Sequence, residues 1–376
     1  MNWEENLSEY GKHLLKFIQE YGGTVDAHTH LDRCFTLDSN YWQDAGIDPF
    51  EAATLPLSVK QDLIGELHKS PAYLKEDLER RMTLALERMI IFKTKKIITF
   101  VDATPDIGLV AVEAALSVKE KFKDKIELQI GVHPIFGFKN PKENPDRWEI
   151  FVEAAEKEKV EIIGGLPEKD DEQGKIGFDE HVQRLISLGI KLNKEVHIHI
   201  DQGNDPREKG VETVVEAVRW LGSPKIKNSG APTVWLIHAI SPSCYEESRF
   251  KEILEKIKKF NLGIIVCPRA AISMNQLRPL FAPIHNSIAR ILEIVKLEIP
   301  LRIGTDNIAD IFIPAGEGSI LAEMEMASNI CRYYEPKFWA KLGCDERLNN
   351  MDKELDARVL YQNKKVFEQI NPSFNA

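Results

Sequence analysis

The chain has 376 residues, 43% of them hydrophobic, enough for one large core or two ordinary ones. A formal net charge of −10 argues against a nucleic-acid partner, because phosphate binding needs clustered Lys and Arg. The lysines of 119–125 and 251–259 are interleaved with Glu and Asp and read as solvated helix faces. No apolar run approaches the roughly 18 residues of a membrane span. The start, Met1-Asn2-Trp3-Glu4-Glu5, has neither the basic nor the apolar region of a secretory leader. Five scattered cysteines without a C-x-x-C suit a reducing compartment, so a cytoplasmic location is expected, with Cys34 and Cys267 beside the candidate site.

Residues 1–23 read as an N-terminal helix, with Leu14, Leu15, Phe17 and Ile18 apolar, too short to be a domain. Gly22-Gly23 leads into a first strand, Thr24-Val25-Asp26-Ala27-His28-Thr29-His30. A long connection from Cys34 to about residue 96 carries one amphipathic helix over 73–92, with Leu78, Met82, Leu84, Leu86, Met89 and Ile90 near helical spacing. Strand-length apolar runs then recur at 97–101, 126–132, 160–165, 195–200, 234–238, 262–267 and 301–304. Helical patterns fill the gaps at 109–122, 148–158, 178–192, 211–221, 245–260 and 287–296. Continuous apolar strands alternating with helices imply a parallel sheet covered on both faces. Eight such units predict an α/β protein, a (β/α)8 TIM barrel over 24–310. Residues 311–376 add C-terminal helices at 320–330 and 355–369, and the whole of 1–376 is expected to be a single domain.

The strand ends carry the chemistry. Strand side chains have a period of two, so His28 and His30 project from one face and can converge on one ion. Each of the other groups has a plain structural reading: His197 as an interior layer residue, His238 as a core histidine, Asp306 as a turn cap. But His28 and His30, His199, His238 and Asp306 stand at the ends of strands 1, 5, 6 and 8, where such barrels build their sites. Several histidines and a carboxylate converging there predict a metal site.

His28-Thr29-His30-Leu31-Asp32, His199-x-Asp201, His238 and Gly304-Thr305-Asp306-Asn307 resemble the amidohydrolase superfamily, on its cytosine deaminase-like branch. The resemblance covers about 28–310. It implies one divalent ion, zinc first and iron as the alternative, held by His28, His30, His199 and Asp306, with His238 polarising water or substrate. Strand 4 ends Gly164-Gly165-Leu166-Pro167 without the lysine that bridges two metals in binuclear relatives; Lys169 is the only lysine nearby. The family's accessory β-sandwich is not expected here.

Three positions depart from that branch. The glutamate that shuttles protons is Gln202, the ring-holding glutamine falls near Ile135 and Phe136, and the second aspartate after strand 8 is Asn307. Cytosine is therefore not expected as the substrate. An amide cannot carry a proton, which leaves proton transfer to Asp306 assisted by His238, with Gln202 orienting substrate. Arg33 and Arg269 are candidate cations for an anionic or carbonyl-bearing substrate, together with Asn307 and Phe136 as substrate contacts; for Arg33 a salt bridge with Asp32 is the equal alternative.

The expected function is hydrolysis of a non-peptide C–N bond in a small nitrogen heterocycle or cyclic amide by metal-activated water. The alternatives are a binuclear lactonase or phosphotriesterase-like hydrolase and a non-catalytic metal-binding relative. A small molecule is the expected partner, with no nucleic acid and no membrane, and a homo-oligomer is left open. Neither G-x-G-x-x-G nor a P-loop is present, and H-x-E with P-C-x-x-C, the mark of the other zinc deaminase fold, is absent.

Overall fold

A computed structural model describes residues 3–140, 142–226, 230–274 and 288–370. Eight strands lie parallel in sequence order: β1 Thr24–Thr29, β2 Thr94–Asp102, β3 Glu127–His133, β4 Ile162–Gly165, β5 Glu195–Ile200, β6 Val234–His238, β7 Gly263–Val266 and β8 Leu301–Ile303. The barrel closes between last and first, where Thr29 bridges Asp306: Asp306 N–H donates to the His28 carbonyl and His30 N–H to the Asp306 carbonyl, both at 2.8 Å. This is the (β/α)8 barrel expected from the rhythm of the sequence. Among the described residues it is the only sheet.

β1 is buried along its whole length because helices cover one face and the barrel interior the other. Apolar side chains inside the barrel form one cluster of Ile98, Phe100 and Ile162 and another that includes Ala27, Trp235, Ile237 and Ile265. Phe100 fits because β3 and β4 turn glycines toward it: a Cβ on Gly131 would fall 2.5 Å from its ring, and one on Gly164 would fall 2.7 Å from the ring and closer still to the Val132 carbonyl. His197 is an interior layer residue, its ring 5.6 Å from Phe100 and its Nε2 3.0 Å from Glu195.

The outer core packs sheet against helices, and two elements differ from expectation. In the helix Lys75–Ile91, Leu78, Met82, Leu86 and Met89 are buried, but Leu84 points outward at 47% exposure. The connection after β1 holds a second helix, Leu57–Lys69, that the sequence did not signal. Its apolar residues are sparse and Gly65 interrupts them, so tertiary contact rather than pattern fixes it. A helix at Pro336–Gly343 was likewise missed; it lies against the N-terminal helix Glu9–Glu20, which Ser8 caps through Gly11 N–H. The helix expected at 287–296 begins at Ile291, and Ser287 lies outside the described residues. Among the described residues no helix is long and apolar enough to cross a membrane, and all five cysteines are free thiols.

Candidate metal centre

The strand ends bring four side chains to one point. His28 and His30 leave the end of β1, His199 the end of β5, and Asp306 follows β8; their ligand atoms lie within 4.8 Å of one another, and all four residues are buried. His199 Nε2 is 3.0 Å from His28 Nε2 and 3.3 Å from His30 Nε2. Asp306 Oδ1 is 3.4 Å from His28 Nε2 and 3.6 Å from His30 Nε2.

These groups fit a cation better than they fit each other. His199 Nδ1 donates to the Gly165 carbonyl at 3.0 Å, which leaves its Nε2 a bare lone pair facing two more imidazole nitrogens. Burial, first of all, lowers the pKa of His28, His30 and His199, so the three rings are neutral donors. Burial works to raise Asp306, but hydrogen bonding from His28, first of all, and the electrostatic influence of the His238 imidazole hold its carboxyl below the ordinary range. Three neutral imidazoles and one carboxylate are a donor set for zinc or iron.

The backbone is strained where these side chains are aimed. Asp306 has φ +62°, His238 +72° and Asp201 +52°, left-handed values that β-strand ends rarely take without glycine. Gly304 lets β8 come in against β1, since a Cβ there would stand 2.8 Å from His28 Cβ, N and O. Asp26, buried inside β1, accepts from Thr305 N–H at 3.1 Å, Thr305 Oγ1 at 2.6 Å and His28 N–H at 3.2 Å, tying the two ligand-bearing segments together.

His238 Nε2 stands 4.0 Å from Asp306 Oδ2, and burial pushes its pKa down to about 4, so the ring is neutral. Together with Gln202 the pair lines a small cavity beside the ligand cluster. On β4 no lysine approaches: Lys169 ion-pairs with Asp62 at 2.6 Å.

Three proteins are similar in sequence. An uncharacterized protein of Haemophilus influenzae is 30% identical over 274 residues, 72% of this chain and 90% of its own length. A pterin deaminase of Rhizobium rhizogenes is 20% identical over 78% of this chain, and an N-isopropylammelide isopropyl amidohydrolase of Pseudomonas sp. strain ADP is 23% identical over 80%. The chain spans 61% and 66% of the lengths of these last two. The crystal structure of 5-methylcytosine deaminase from Klebsiella pneumoniae, liganded with 5-fluorocytosine, superposes with a TM-score of 0.72 over 90% of this chain and 74% of that one, at 23% identity. The chain resembles amidohydrolases in its fold and in its strand-end motifs. No protein-family model matches it. Of these relatives one is a deaminase and one an amidohydrolase, and the superposed structure is a deaminase.

Other residues singled out from the sequence fall differently. Arg33 is 2% exposed and sits between carboxylates, 4.0 Å from Asp32 and 3.9 Å from Asp102, with Phe312 beneath it; this is the salt-bridge alternative, not a free cation in the mouth. Arg269 is bound to Glu323 at 3.2 Å and to the Ala315 carbonyl at 2.9 Å. Asn307 donates to Asp310 at 2.5 Å. Phe136 packs on His68 rather than on the ligand cluster.

Sequence reasoning missed three groups. Glu168, after β4, accepts from Gln202 Nε2 at 2.8 Å, and burial first, then the charges of Glu208 and Asp201, push its carboxyl up to about 8. Asp102 ends β2 and accepts from His133 at 2.9 Å and His68 at 3.3 Å, a network that also takes in Tyr73 and Asp32. Lys60 lines the cavity from the helix that the sequence did not signal. A pattern of two could have found Asp102, which ends β2 as His30 ends β1. Nothing in the sequence points to Glu168 or Lys60.

Proposed function

We propose that this protein hydrolyses a C–N bond of a small nitrogen heterocycle or cyclic amide, with one divalent ion held by His28, His30, His199 and Asp306. The observation that carries the reading is the convergence of those four ligand atoms within 4.8 Å at the C-terminal end of the barrel. A divalent ion held there would lower the pKa of a water molecule toward about 7. Asp306, whose Oδ2 points to His238, takes a proton from the nucleophile and passes it to the leaving nitrogen. Neutral His238 hydrogen-bonds the attacked carbon's oxygen or nitrogen substituent as charge builds there. Gln202 lines the same cavity and orients the ring by hydrogen bonds. A single ion is favoured because β4 ends in Gly164-Gly165 and Lys169 is committed to Asp62, so no carboxylated lysine is at hand to bridge a second.

The test is a panel of N-heterocycles and cyclic amides, assayed for ammonia or amine release by zinc- and iron-loaded protein. Turnover of one series, lost on chelation and restored by metal, is expected. No turnover across the panel, with lactones or phosphotriesters hydrolysed instead, would withdraw the reading.

A further inference from the structure

The cavity beside the ligand cluster is lined by Lys60, Gln202, His238, Ile240, Asp306 and Phe312, among others. Its one cation among these residues is Lys60, which is 7% exposed and whose Nζ has only two long contacts, 3.5 Å to the Ala53 carbonyl and 3.4 Å to the Phe312 carbonyl. Among the described residues no carboxylate comes within ion-pair range of it. The remaining positions, 1–2, 141, 227–229, 275–287 and 371–376, contain no Asp or Glu at all. A buried ammonium without a counter-charge is costly, so something outside the protein is expected to balance it.

The nearby charges are already used. Asp306 faces the imidazoles of the metal centre. Asp310 accepts from Asn307 and from the backbone N–H groups of Phe312 and Ile313. Arg33 is set against Asp32 and Asp102, and Arg269 against Glu323, so neither offers a free cation. Burial, first of all, lowers the Lys60 pKa, and only Asp310 and Asp306 oppose it. Once a divalent ion occupies the His3Asp set, the single Asp306 charge no longer neutralises the cavity.

We infer that Lys60 is the specificity-determining cation of this pocket, and that the substrate is an anionic N-heterocycle or cyclic amide whose carboxylate or ionised oxygen lies against Lys60 Nζ. Phe312 supplies a wall for the ring, since the Lys60 ammonium lies 5.6 Å from its centroid. This rests on the metal-centre reading for where the reacting carbon sits.

The test uses pairs that differ by one carboxylate substituent, uracil with orotate and pterin with pterin-6-carboxylate, titrated calorimetrically into zinc-loaded protein. In each pair the anionic member should bind at least about 10-fold more tightly. Lys60→Met should reduce that preference to within about twofold, with metal content and thermal midpoint kept, and Lys60→Arg should retain most of it. Equal or tighter binding of the neutral members, no binding of either anion, or a preference that survives Lys60→Met would overturn the inference. The binding arm needs no turnover, so it decides the role of Lys60 even where the hydrolysis panel fails.

Discussion

Replacing Arg33 by Met removes a guanidinium that stands 4.0 Å from Asp32 and 3.9 Å from Asp102, with all three residues buried. At an effective dielectric of about 20, each contact is worth about 4 kcal/mol of attraction, most of which offsets the cost of taking the charges out of water. Deleting one partner leaves the carboxylates unpaired, and the expected net loss is about 3–5 kcal/mol. Urea unfolding followed by tryptophan fluorescence should show this as a midpoint lower by more than about 1 M at an m-value near 3 kcal/mol per M. The pH dependence has a definite sign. Burial, then the Asp102 charge, already raises the Asp32 pKa, and Arg33 opposes that rise. Without Arg33 it rises further. A carboxyl whose folded pKa lies above its unfolded value contributes stability at low pH that fades as pH increases, so the deficit should grow as pH rises above about 6. Metal content should be unchanged, because the ligands are held by β1, β5 and the turn after β8. A loss below about 1 kcal/mol, or a deficit that shrinks with rising pH, would refute this account of Arg33.

Elemental analysis of protein prepared without chelator should give one divalent ion per chain; two, or none after supplementation, contradicts the four-residue centre. Asp306→Asn should lower turnover by about 10²–10⁴-fold or more, while Gln202→Ala costs less, because only the first removes a proton acceptor; the reverse order, with metal still bound to the Asn variant, would reassign proton transfer to Glu168, to which Gln202 is bonded. Gly304→Ala drives a Cβ to 2.8 Å from His28 N, O and Cβ, and should cost about 1–3 kcal/mol and about 10–100-fold in metal affinity; unchanged affinity would mean that β8 yields without moving His28.

The alternation of the strands was readable because parallel strands in a covered barrel are apolar throughout, and this fixed the ends at which His28, His30, His199, His238 and Asp306 were sought. The H-x-H needed only a strand period of two. What the sequence withheld is what tertiary packing decides. Lys60 belongs to a helix with a weak apolar pattern, and its place at the cavity depends on how the connection after β1 folds back. Glu168 meets Gln202 only because β4 and β5 are neighbours. Arg33 follows the H-x-H directly, yet its direction is set by Asp102 from another strand, which no local spacing reports. The left-handed backbone at His238 and Asp306 is carried by residues whose types do not announce it.

The barrel is joined at β1 and β8, and three of the four metal-facing groups sit on that join: His28, His30 and Asp306. An ion there would fasten the first strand of the barrel to the last like a clasp. With free ion at about 1,000 times its dissociation constant, the clasp adds about 4.1 kcal/mol to the folded state. Starving a cell of the metal would therefore do more than silence the site. It would loosen the ring at its one seam between chain-distant strands, so that the amount of intact protein would follow the metal supply.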